Sequence, residues 1–114
     1  MPFINVKTNA ALSGEKKLAI ENRLSDAISL LPGKSDRYLM LAVEDGISMM
    51  FRRDTESNIA MVEVKIFGTA PKDACAALTS AICGVLSEEA DVDGSNCYVK
   101  FEECTLWGCD SFMF

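Results

Sequence analysis

Apolar and polar positions alternate weakly over Phe3, Ile4, Asn5, Val6 and Lys7, the period of a strand, and Thr8 to Ala11 turn the chain. Ser13 then stands where a helix N-cap belongs, with Glu15 in the first turn where the helix dipole favours an acid. From Gly14 to about Leu31 the apolar residues Ile20, Leu24, Ala27, Ile28 and Leu31 recur at helical spacing, and Pro32-Gly33 ends the run. Tyr38 to Val43 predicts a second strand. Asp45-Gly46 is a hairpin-type turn signal, Met49 to Phe51 a short extended piece, and Arg52 to Asn58 a polar loop. Ile59 to Phe67 predicts a third long strand, broken by Gly68-Thr69. Pro71 suits the first turn of a second helix, whose stripe is Cys75, Leu78, Ile82, Val85 and Leu86. After a loop from Asp91 to Ser95, Cys97 to Glu102 predicts the fourth strand, and a tail follows with Leu106, Trp107 and Gly108.

The element order is β-α-β, a short connection, then β-α-β again, an α+β class within one domain spanning residues 1–114. Each helix crosses over between parallel strands, which is a right-handed connection, and the product is a four-stranded sheet with both helices on one face. Leu39 to Val43 and Val62 to Phe67 are rich in apolar residues on both faces, as expected of a sheet covered on both sides. Two helices cover only one side. The other side would expose more apolar surface than a monomer ordinarily does, so the pattern predicts self-association through that face.

With 114 residues, 49% of them hydrophobic, the chain has enough material for one core without staples, and no apolar run approaches the ~18 residues of a membrane span. The net charge of −6 argues against nucleic acid, whose phosphates need a basic face. Histidine is absent, which removes every Ser-His-Asp triad, Cys-His pair and imidazole metal site. The five cysteines (Cys75, Cys83, Cys97, Cys104 and Cys109) contain no C-x-x-C. Cys75 and Cys83 are separated by about 12 Å along one helix at ~1.5 Å per residue, beyond the ~7 Å limit for a disulfide. They are expected as small core hydrophobes, and an odd thiol count suits a reducing compartment. Met1 to Asn9 lacks the basic and apolar regions of a signal peptide, so the expected location is the cytoplasm, or outside the cell by a route without a signal peptide.

A histidine-free enzyme needs another proton carrier near neutrality, and Pro2 offers one. Methionine before so small a residue is ordinarily trimmed, leaving a secondary amine. An ordinary α-amino group titrates at ~7.7–8.0. Burial beside apolar residues and near cations lowers that value and leaves a neutral base at pH 7. Taken alone, Pro2 equally well just starts a strand, a lysine after Pro-Gly is a solvated loop residue, and a strand tyrosine packs its ring.

Met1-Pro2-Phe3-Ile4-x-Val6-x-Thr8-Asn9, Pro32-Gly33-Lys34 followed by Tyr38-x-Met40, Met49-x-Phe51 before a polar loop, Gly68, Tyr98-Val99-x-Phe101 and Trp107-Gly108 together resemble the macrophage migration inhibitory factor and D-dopachrome tautomerase family. These anchors run in the family's order over essentially the whole chain. The resemblance implies a symmetric trimer whose sheets wrap a central channel, with the pocket between subunits and no cofactor or metal. It implies keto–enol tautomerisation of phenylpyruvate-like aromatic α-keto acids and isomerisation of dopachrome, with the amine of Pro2 as the base. It further implies that Lys34 holds the substrate carboxylate or enolate oxygen, that Val64 lies at the pocket and offers its backbone N–H, and that Tyr98 comes from a neighbouring subunit. Lys100 falls where relatives carry asparagine or a basic residue, and both lysines are expected to gather at one pocket in an acidic protein. The alternative that the resemblance carries is a cytokine-like signalling protein, which binds a protein receptor and whose pocket is vestigial. Departures are the Phe51-Arg52-Arg53-Asp54 segment in place of Phe-Gly-Gly-Ser, and Glu63-Val64-Lys65 in place of Ser-Ile-Gly, which adds charge near the pocket wall. Cys109 replaces a second tryptophan, and the vertebrate cytokine's Cys-x-x-Cys is missing, so no thiol–disulfide activity is carried over.

Overall fold

The computed structural model describes residues 1–114. Its strands are β1 (Pro2–Thr8), β2 (Met40–Glu44), β3 (Ala60–Phe67) and β4 (Cys97–Cys104), with helices α1 (Gly14–Ala27) and α2 (Lys72–Ala90). The strands form one mixed sheet in the order β2-β1-β3-β4. β1 runs parallel to β2, β3 runs parallel to β4, and the two halves meet antiparallel along β1 and β3. Each helix therefore spans a parallel pair, as the β-α-β order requires.

The core lies between the sheet and the helices. Ile4, Val6, Val62, Val64 and Ile66 point down from the central strands to meet Ile20, Leu24 and Ile28 of the first helical run and Leu78, Ile82 and Leu86 of α2, all fully buried. Ser13 caps α1 as its sequence position predicts, its hydroxyl accepting the Lys16 N–H at 3.1 Å. The first helical run is shorter than its periodicity suggests. It tightens into a 3-10 turn at Ile28–Leu30, and Leu31 is extended, because Pro32 disfavours helical backbone before it.

Three other expectations change. Residues 36–38 form a 3-10 turn, so β2 starts at Met40. Asp45-Gly46 closes no hairpin. The chain instead doubles back past the end of β1, with Gly46 N–H on the Ala10 carbonyl at 2.9 Å and Asp45 accepting from the Leu12 N–H at 2.8 Å. Met49 to Phe51 is no strand either; Phe51 and Asp54 exchange two backbone bonds of 3.0 Å around Arg52 and Arg53, both at positive φ (53° and 63°).

The second face of the sheet is more charged than its strands suggest. Register pairs Lys7 with Glu44, Glu63 with Lys100 and Lys65 with Glu102, so opposite charges stand side by side across the strands. Between them lie Phe3, Met40, Met61 and Tyr98. Asn5 sits at the centre of this face, and its Oδ1 is buried without a hydrogen-bond partner.

Candidate active site

The Pro2 end of β1 opens onto a cavity of about 600 Å³, within the range of small-molecule sites. Pro2, Phe3, Tyr38, Met40, Lys65, Trp107, Cys109 and Phe114 are among its lining residues. The tail builds one wall. Gly108–Cys109 (β5) and Phe112–Met113 (β6) form a small hairpin whose two central residues, Asp110 and Ser111, have positive φ, as a type I′ turn demands. The Phe114 N–H closes back on the Trp107 carbonyl at 2.9 Å, and the Phe114 ring lies 6.2 Å from that of Phe67. Aromatic side chains thus line the cavity beside Cys109.

Lys34 reaches the same end of the sheet from a tight turn. Pro32 and Gly33 occupy its centre, Gly33 has φ 76°, and Lys34 N–H returns to the Leu31 carbonyl at 3.1 Å. That is the position where a type II turn requires glycine after proline. The Lys34 Nζ donates to the Phe67 carbonyl at 2.8 Å. It also faces the amino group of Met1, whose pKa is held below the ordinary α-amino value by burial first and by the Lys34 charge and hydrogen bond second. The Phe67 N–H donates to the Met1 carbonyl at 3.1 Å, which anchors this corner of the sheet.

The other expected site residues fall elsewhere in the chain. Val64 is fully buried in the core. The Met1–Phe67 bond sets the antiparallel alternation so that Ile4 and Val64 form a non-bonded pair, which turns the Val64 N–H toward β4. Tyr98 pairs in register with Met61, itself opposite Lys7, which places it about 19 Å from Pro2 by strand spacing. Its ring meets Phe51 edge-on at 4.9 Å. Lys100 is about 14 Å from Pro2 on the same reckoning and pairs with Glu102 at 3.1 Å, so the two lysines do not meet within one chain. Phe3, Tyr38, Met40, Trp107 and Phe114 are among the cavity residues to which sequence reasoning gives no site role, and Lys65 enters it only as charge near the pocket wall. For Lys65 a signal was available: alternation in β3 sends Val62, Val64 and Ile66 inward and residue 65 outward.

The sequence model of the family described as "Macrophage migration inhibitory factor (MIF)" matches residues 1–110. The chain belongs to the macrophage migration inhibitory factor family. No curated protein matches it in sequence. Among solved structures it superimposes on MIF2 of Leishmania major with a TM-score of 0.93 at 20% identity, covering 100% of this chain and 97% of that one. The MIF-like protein of Entamoeba histolytica gives 0.88 at 24% identity, over 99% and 98%. A structure described as a "Q0 fused 4-OT wild type symmetric trimer" gives 0.85 at 17%, over 97% and 94%. At such identities the likeness carries the fold alone. No helix of this family member is long and apolar enough to cross a membrane.

Proposed function

We propose that this protein is a keto–enol tautomerase of phenylpyruvate-like α-keto acids, with dopachrome-type isomerisation as a related activity. The observation that carries the reading is the amino group just ahead of β1, its pKa drawn below the ordinary α-amino value by burial and by Lys34, beside an aromatic-walled cavity. Removal of Met1 turns the Pro2 nitrogen from an amide into a secondary amine next to the same lysine. In the proposed cycle this amine takes the enol O–H proton, the charge spreads over the enolate, and the resulting ammonium returns a proton to the neighbouring carbon. Lys34 faces the developing oxyanion. The Phe67 N–H, which loses the Met1 carbonyl on trimming, supplies a backbone donor beside it. Such donors act where charge grows, so they lower the barrier rather than only tightening binding. No cofactor enters this cycle.

The working unit in this reading is a homotrimer with the pocket between subunits. A structural relative is described as a symmetric trimer. The buried, unpartnered Asn5 Oδ1 on the open sheet face calls for a donor that this chain does not provide. Tyr98 and Lys100, too far from Pro2 in their own chain, stand on the edge strand where a neighbouring subunit could present them. The test is the loss of the phenylpyruvate enol followed by ultraviolet absorbance. Wild type should exceed Pro2→Gly by about a hundredfold or more, the scale of a positioned acid–base group, and equal rates would defeat the proposal.

A further inference from the structure

Lys65 lies on the open face of β3, directly across from Phe3, and lines the cavity with Pro2 and Trp107. It is the only charged side chain among the lining residues. The chain's ion pairs join Lys16 to Glu89, Lys17 to Asp45, Arg23 to Glu88 and Glu89, and Lys100 to Glu102. Lys65 joins none of them. Its nearest carboxylate in register, that of Glu102, is engaged by Lys100 at 3.1 Å. A lysine that lines a mainly apolar cavity and has no ion-pair partner in the chain is placed to take an anion there.

Lys34 already supplies one cation at the Pro2 end, bound to the Phe67 carbonyl. Lys65 stands two residues back along β3, about 7 Å away by strand rise. A substrate with a single carboxylate meets one of these cations and leaves the other without an anionic partner. We propose that Lys65 makes the cavity selective for α-keto acids that carry a second, distal carboxylate, with Lys34 serving the keto-acid end. The proposal rests on the tautomerase reading for the identity of the substrate, but not for the recognition of the second anion.

Binding can be read without turnover, because the chain has one tryptophan and it lines the cavity. The probes are 3-phenylpropanoate and 3-(4-carboxyphenyl)propanoate, neither of which has a ketone to enolise. Trp107 fluorescence should report binding of the dicarboxylate about tenfold tighter than the monocarboxylate, the scale of one charge-assisted contact. In Lys65→Met, and in Lys65→Gln as a second variant, the ratio should fall to near one. In Lys65→Arg it should be kept. Equal affinities in the wild type, or a preference that survives Lys65→Met, would overturn the assignment. A protein that shows the preference yet turns over no phenylpyruvate would retain the Lys65 assignment and count against the tautomerase reading alone.

Discussion

Replacing Thr8 by valine should unfold this protein more readily than any change of similar size on its surface. Thr8 ends β1 fully buried, its hydroxyl donating to the Ile59 carbonyl at 2.7 Å and accepting the Ala10 N–H at 3.2 Å. Beside it Asn9 accepts the Ile59 N–H at 2.8 Å and donates to the Ser57 carbonyl at 2.9 Å. The Thr-Asn pair therefore pins the loop before β3 to the end of β1. It fixes the register that sets Pro2 against Ile66. Valine matches threonine in shape, so no cavity opens, and what remains is two orphaned backbone groups in places where Ile59 and Ala10 are 5% and 8% exposed. Each buried group left unpaired costs about 1–3 kcal/mol, and the longer bond belongs at the low end, for a sum of about 3 kcal/mol. Against a total of roughly 6–17 kcal/mol for a chain of this length, that loss is large. At a urea slope of about 2 kcal/mol per molar, the midpoint falls by about 1.5 M. Protein concentration must be held fixed, because self-association adds to stability. Thr8→Ser keeps the hydroxyl and gives up one methyl, for about 1 kcal/mol. A valine variant within about 0.5 kcal/mol of wild type, the range of ordinary surface changes, would refute the reasoning, as would a serine variant that is equally damaged.

Lys34→Met should slow turnover of phenylpyruvate more than that of its methyl ester, since only the acid presents a carboxylate to the lost cation. The pH at which kcat/KM reaches half its plateau should also move up: a lysine beside the amine favours its neutral, basic form, and wild type should therefore titrate below the ordinary ~7.7–8.0. An unchanged profile would remove Lys34 from the neighbourhood of the base. Arg53→Gly should stabilise the fold by about 1 kcal/mol in the same urea assay, because arginine at φ 63° bears a left-handed strain that glycine does not. Arg52→Gly should gain less, since Arg52 also donates to Ser95 and Asn96 at 3.0 and 2.6 Å and lies 4.4 Å over the Phe51 ring.

Local signals account for what was legible beforehand. Apolar periodicity yields the two helices and four strands, and the crossover rule yields the parallel pairs. Ser13 and Pro32-Gly33 each act over a few residues, through a cap and a turn, whereas the Thr8 and Asn9 side-chain bonds to Ile59 and Ser57 reach across the fold and left no local signal. Non-local placement stayed hidden. Nothing in the tail's composition announces its hairpin, because Asp110 and Ser111 occupy the positions that Asn-Gly ordinarily marks. The turn at Arg52-Arg53 hid for the same reason. Trp107 and Phe114 therefore could not be brought to Pro2 by inspection. The expectation that Lys34 and Lys100 share a pocket rested on the family alone. Within one chain, register separates them, and only an assembly can bring the edge strand of one copy to the Pro2 corner of another.

The central claim is that the Pro2 nitrogen, as a free secondary amine, is the base. It is tested most directly by comparing two forms of one protein, identical in fold and differing only at the first residue. One begins at Pro2 and the other retains Met1, with both termini confirmed by mass. Phenylpyruvate enol loss should be fast in the first and near the buffer rate in the second, where the same nitrogen is an amide. Equal rates in the two forms would contradict the account.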